Sequence, residues 1–295
     1  VEGGDEIAKY NISFGYTGNE GTVRNTGTDR FHTLISANVL ASRQVDIFAN
    51  IGLAYITSNL QNVGMTQQTD PLLSSYHAMP LISPFEKQND GSELSNYAAY
   101  NFWNTSSDPI FAYDNVSNPL AIVNTVLGKD KIYDVNTQAG INFRWNDYLT
   151  LTGLVNLYYN YIEETMFVPG VTNQAILPQL YGTGRNKVGN SVSTQEMNTY
   201  MLQGKYNRIF NRVHELNAVA SARMMMRNYE LDISEGYNTA SDNYQTLDNT
   251  QNEKQTYGGL AEWNYMGFNL RGDYTYNKLV RTSLGLTVDG TSASG

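Results

Sequence analysis

The sequence contains no cysteine. Disulfides, thiolate metal sites and a cysteine nucleophile are therefore excluded. Charge is sparse: Asp, Glu, Lys and Arg make up 16% of 295 residues, with a net charge of -9. An acidic chain without clustered Lys and Arg is a poor match for nucleic acid. There is also no polybasic run of the kind that tethers a segment to an anionic leaflet. Proline is scarce, and five of the seven (Pro71, Pro80, Pro84, Pro109, Pro119) fall in one stretch. No apolar run approaches the roughly 20 residues of a transmembrane helix. Val1 to Glu6 lacks the basic start and apolar core of a signal peptide. Helical periodicity is almost absent.

What is present is uncharged polarity. Hydrophobic residues make up 41% of the chain, yet mean hydropathy is -0.42. Asn, Thr, Ser, Gln, Gly and 22 Tyr account for the difference. This balance suits an outer-membrane barrel, with its polar lumen and aromatic girdles. It equally suits a secreted carbohydrate-binding β protein.

Period-2 alternation recurs along the whole chain, which predicts an all-β antiparallel meander of long strands. Tyr10, Ile12, Phe14 and Tyr16 alternate with Asn11, Ser13, Gly15 and Thr17. Further strands are expected at 31–40, 45–55, 135–145, 149–161, 198–206, 213–226, 255–276 and 280–288. In the last of these, Val280, Thr282, Leu284, Leu286 and Val288 share one face, and Arg281, Ser283, Gly285, Thr287 and Asp289 the other. Met266-Gly267 shifts the apolar parity, which is read as a β-bulge in one long strand. The total is about nine strands.

Links at 41–44, 146–147, 207–211 and 277–278 are short. Those at 18–29, 57–133, 162–197 and 228–254 are long and polar. Strict short-long alternation is the signature of a transmembrane barrel with short periplasmic turns and long extracellular loops. A soluble sandwich has no physical reason to keep it.

Several residues could carry chemistry. His32, His77 and His214 are far apart and lack metal-ligand spacing. Glu163 and Glu164 are adjacent in an extended segment, so they face opposite ways and cannot act as an acid-base pair. Gly182-Thr183-Gly184-Arg185-Asn186-Lys187 lacks the spacing of a phosphate loop. Met224-Met225-Met226 reads as a strand end near a membrane interface. No Ser lies in a nucleophile-elbow context. No catalytic, cofactor or metal residue is assigned, and no enzyme activity is expected. The best candidates are aromatic: Tyr97, Tyr100, Phe102, Trp103, Phe111 and Tyr113, set among Asn, Ser and Asp in the 57–133 loop. Such rings could stack on a sugar, meet a partner protein, or pack the loop's own core.

The order of motifs resembles SusC/RagA-like TonB-dependent outer-membrane transporters of the Bacteroidetes. It is carried by Tyr274-Thr275-Tyr276-Asn277-Lys278, the strand Val280 to Val288, and Asp289-Gly290-Thr291-Ser292, where Thr291 replaces the usual Ser. Tyr10 to Tyr16 followed by Asp29-Arg30-Phe31 resembles the first barrel hairpin. Pro80, Pro84, Asp90-Gly91 and Asn118-Pro119-Leu120-Ala121 resemble elements of the long early loop. The resemblance implies that residues 1–295 are the N-terminal section of a larger transporter barrel, without plug domain or TonB box. It implies import of oligosaccharides or peptides across a barrel set in outer-membrane lipid. A SusD-like surface lipoprotein would act as lid, and TonB would act through a plug. The aromatic cluster would then meet substrate or lid. A soluble all-β carbohydrate-binding or adhesin-like protein, and a complete small porin, stand as alternatives.

Overall fold

The computed structural model describes residues 1–63, 69–78, 83–98, 117–170, 175–176 and 185–294. Ten strands form one antiparallel sheet in which every strand lies beside its chain neighbour. They are β1 (Glu2–Gly4), β2 (Ala8–Glu20), β3 (Gly27–Leu40), β4 (Val45–Asn59), β7 (Leu127–Arg144), β8 (Leu149–Val168), β9 (Lys187–Phe210), β10 (His214–Thr239), β11 (Thr250–Tyr276) and β12 (Val280–Thr291). The long connection between β4 and β7 holds α1 (Pro71–His77), a small hairpin of β5 (Phe85–Lys87) and β6 (Glu93–Tyr97), and α2 (Pro119–Thr125). The nine strands read from alternation are all present. The tenth, β1, is an edge strand whose Glu2-Gly3-Gly4 carries no alternating signal.

Directly paired residues of an antiparallel sheet share a face. One row runs Ile47, Ile141, Gly153, Leu202, Ala222, Phe268, Val288 across β4 to β12. The next row on the opposite face runs Asp46, Asn142, Thr152, Gln203, Ser221, Asn269, Thr287. One face is therefore apolar and the other polar across the sheet. The apolar face is open: Leu202 is 69% and Leu284 78% exposed. Among the described residues no second sheet covers it.

Aromatic side chains border this apolar band. Tyr16, Phe31, Tyr55, Tyr133 and Tyr161 occupy one continuous row. Ring centroids are 4.9 Å apart for Tyr16 and Phe31, 5.0 Å for Tyr55 and Tyr133, and 6.1 Å for Tyr133 and Tyr161. Near the short turns lie Phe143, Trp145, Tyr206, Phe210, Tyr274 and Tyr276. On β7 the two belts stand at Tyr133 and Phe143. Ten residues span about 33 Å along a strand. At a tilt of roughly 40° that is about 25 Å of height, the apolar band of a transmembrane barrel.

The bulge expected at Met266-Gly267 does not form. Pairing there is regular on both sides, Met266 with Met224 and Gly290, and Gly267 with Arg223 and Asp289. The parity shift has another cause. Trp263 and Tyr265 lie on the polar face, where the Tyr265 hydroxyl donates to Asp289 Oδ1 at 2.7 Å. The one irregularity in this pairing falls between Glu235 and Tyr237 of β10.

The strands also run further than alternation indicates. The long links shrink to 21–26, 60–126, 169–186 and 240–249. Beyond the upper belt both faces meet water or loops, so ladder hydrogen bonds extend the strand without apolar alternation. Met224 to Met226 consequently lie mid-strand rather than at a strand end, with Met224 and Met226 on the apolar face.

The short turns are built by side chains that suit them. Asn211-Arg212 and Asn277-Lys278 adopt positive φ at both central residues, 48° and 59°, then 48° and 60°. These are type I′ turns, whose twist matches the strands. They close at 211–213 rather than at the expected 207–211, and at 277–279. Ser42 and Asn146 close the other two, each accepting two backbone amides.

Candidate functional site

At the end of the sheet bearing the long links, the loops form a platform with its own interior. Two seven-residue helices begin alike, each with an Asx cap followed by Pro. Asp70 Oδ1 accepts the amides of Leu72 and Leu73, and Asn118 Oδ1 those of Leu120 and Ala121. These bonds satisfy amides that the first turn leaves orphaned. Proline at the first position loses nothing there.

Asn118 does more than cap. Its Nδ2 donates to Pro84 O at 2.7 Å and Ala98 O at 3.3 Å, and its backbone amide donates to Ala175 O at 2.8 Å. One buried residue thus joins α2, both ends of the β5–β6 hairpin and, through its backbone, the 169–186 link. Beneath it Ala121, Ile122, Val126, Val168, Ala175 and Ile176 form a closed apolar cluster, with Tyr97 and Met166 against it. Val168 and Met166 belong to the polar face of β8 by register, so the platform leans over that face. Burying Ile122 and Ile176 stabilises it by about 2 kcal/mol each. From the 21–26 link, Asn25 Nδ2 donates to Val123 O at 3.0 Å, and Gln61 Nε2 donates to the same carbonyl at 3.3 Å.

The other long links are tied by a second Asx group. Asn186 Nδ2 donates to Thr239 Oγ1 at 2.7 Å and Asp242 Oδ1 at 3.0 Å, and Gly170 N donates to Asp242 at 3.1 Å. Lys187 and Glu235 form a partly buried ion pair at 2.7 Å beside it. In the hairpin turn, the Ser92 hydroxyl and amide hold the Asp90 carboxyl below its usual range.

Below the platform the polar face is a field of hydrogen-bonding groups. Thr152 Oγ1 donates to Asn142 Oδ1 at 2.8 Å, Asn156 Nδ2 to Asn136 Oδ1 at 2.6 Å and Asn269 Nδ2 to Thr287 Oγ1 at 2.8 Å. Asp46, Asp134 and Asp273 accept from Asn142, Tyr158 and Ser283. Such a surface presents donors and acceptors suited to hydroxyls and amides. Glu163 and Glu164 do face opposite sides, with Glu163 3.9 Å from Lys131 on the apolar side. Among the described residues no group of three or more His, Asp or Glu could hold a metal ion.

Of the six aromatic candidates, Tyr97 is described. It stacks on Phe85 at 5.6 Å, its hydroxyl accepts from Asn124 Nδ2 at 2.9 Å, and it packs against the apolar cluster. Tyr100, Phe102, Trp103, Phe111 and Tyr113 lie outside the described residues, as do Gly182 to Gly184. The hubs Asn118, Asn186 and Asp242 were not among the candidates. For Asn118 a signal was available: Asx-Pro-Leu is a helix start.

No protein-family model matches the sequence, and no curated protein matches it. Solved structures do. The chain is similar to the RagAB peptide transporter, with a TM-score of 0.75 over 99% of this chain at 14% identity. The RagAB peptide importer in its closed-closed state gives 0.74 at 14% identity, and in its open-open state 0.73 at 15%. The match spans 31%, 31% and 30% of those chains, so this chain has under a third of their length. The fold is thus that of a section of the β-barrel in these structures, and in such a barrel an apolar face turns outward and a polar face toward the lumen.

Proposed function

We propose that the chain is part of an outer-membrane, TonB-dependent importer for oligosaccharides or peptides, working with a SusD-like surface lipoprotein. The observation that carries this reading is the meander itself. It has an apolar outer band about 25 Å high between aromatic belts, a polar inner face, and the barrel fold of a peptide transporter. In this role the strands perform no bond chemistry. They hold a plug, on which TonB acts, and present the loop platform to substrate and lid. Tyr97 anchors the 60–126 loop, and Tyr100, Phe102, Trp103, Phe111 and Tyr113 supply the contacts with substrate or lid. A soluble adhesin-like sandwich would bury the alternate apolar residues. Here they stand exposed, and the closed apolar cluster lies in the loops instead.

The test is fractionation. The protein, expressed with an export signal, is expected in the outer-membrane fraction and in detergent micelles. Recovery as a soluble monomer that unfolds cooperatively would overturn the reading. Uptake of labelled peptides against labelled oligosaccharides, in cells lacking the gene, separates the two substrate classes.

A further inference from the structure

The apolar face is not uniform. Ala218, Ala220 and Ala222 follow one another along β10 on that face, with Gly204 beside them on β9 and Gly272 on β11. A side chain begun at Gly272 would meet nothing within 4 Å. Within this low ground a hollow of 710 Å³ is floored by Gly204, Ala220 and Ala222 and walled by Phe143, Leu151 and Leu202 on one side and Phe268, Leu270 and Leu286 on the other. A second hollow of 690 Å³ continues past Gly153 toward Ile47. The furrow lies between the aromatic belts.

Cations stand at its lower end. Arg208 lies on the same face four positions along β9 from Gly204, about 13 Å away along the strand. Its guanidinium is 4.5 Å from the ring centroid of Tyr148 and 4.6 Å from that of Phe210. Among the described residues it forms no ion pair with a carboxylate. A guanidinium held between rings presents a pre-organised fork to phosphate. Arg212 and Lys278 occupy the two adjoining turns, which are joined by a bond from Asn277 N to Val213 O at 2.6 Å. Arg208 and Arg212 are close in sequence, and the strand pairing brings the turn of Lys278 beside that of Arg212.

We infer that the furrow holds an anionic diacyl phospholipid of the leaflet on the short-turn side, its acyl chain over Gly204, Ala220 and Ala222 and its phosphate against Arg208. This rests on the membrane-barrel reading. The apolar floor would take any lipid tail; the cations select the headgroup. A second copy of the chain fits less well. A two-fold interface through the furrow would bring Arg208, Arg212 and Lys278 toward their own equivalents.

The protein is purified in micelles carrying equal phosphatidylglycerol and phosphatidylcholine, and retained lipid is read by native mass spectrometry. Preferential retention of phosphatidylglycerol is expected. Arg208→Gln should cut that preference about fivefold, the worth of one cation facing an anionic lipid. Arg281→Gln, on the polar face, should leave it unchanged. Ala220→Leu fills the floor and should abolish retention of both lipids; Gly204→Leu, at the same floor, does the same if Ala220→Leu fails to fold. Equal retention of the two lipids by the unaltered protein, or a preference that survives Arg208→Gln, overturns the site while leaving the barrel intact. A lipid-free dimer would assign the furrow to a second copy and overturn it too. A protein that never enters micelles overturns the membrane reading and this one with it.

Discussion

On β8, Leu157 lies 45% exposed on the apolar face, while Val168, eleven positions further along, is 3% exposed among Ile122, Ala175 and Ile176. One strand thus passes from a region that keeps its apolar groups outside to one that keeps them inside. On the proposed reading, lipid completes the hydrophobic environment of the band and the protein supplies hydrogen bonds within. In the platform, water is the solvent, so a closed cluster forms and the polar groups at its edge must find partners. The platform is therefore a small globular unit carried on the sheet. Its hydrogen-bonding hubs do the joining that ladder bonds do below.

The sharpest way to break this contrast is inside the platform. Ile122→Ala removes a fully buried side chain and should cost about 4 kcal/mol. Hydrogen exchange would show the loss in 83–98 and 117–126 while β9 to β11 stay protected; uniform loss would mean the platform is not a separate unit. Next comes a pair of neighbours on β11. Leu270→Arg points a charge into the outer band and should cost about 3 kcal/mol in micelle unfolding. Asn269→Arg, one position away on the polar face, should cost only the hydrogen bond to Thr287, about 1 kcal/mol. The reverse ranking would turn the sheet inside out. Asn118→Ala removes a cap and two carbonyl bonds and should cost about 2 kcal/mol. Faster proteolysis between the hairpin and α2 is its readout.

The smallest effect concerns Asp90. Its folded pKa is depressed by Ser92. The contribution to hairpin order is thus present above the unfolded carboxylate value and lost as pH falls through the folded one. Protease sensitivity of the hairpin should rise in that acidic window, and Asp90→Asn should flatten the dependence.

Most of the sheet was legible because a strand between lipid and a polar lumen must alternate. Val280 to Val288 could be read residue by residue on that ground alone. Legibility failed where the constraint lapses. Lys187 to Met197 and Asn228 to Thr239 are strand without apolar alternation, since neither face meets lipid there. Trp263 and Tyr265 misled, because an aromatic ring with a polar handle is at home on the polar face too. The platform was hardest. Asn118 and Asp70 announce helices by their caps, but nothing local states that Asn186 will meet Asp242 across two links.

The paired Asn turns carry a consequence for how such a chain can change over generations. A three-residue turn with positive φ at its first two positions fixes which residues face each other across β9–β10 and β11–β12. Deleting or inserting a single codon within the band would exchange every oil-facing side chain for a water-facing one up to the next turn. Changes of odd length are tolerable only past the upper belt, where both faces are wet. Evolution can therefore rewrite the loops freely, one residue at a time, while the band below accepts only substitutions or steps of two.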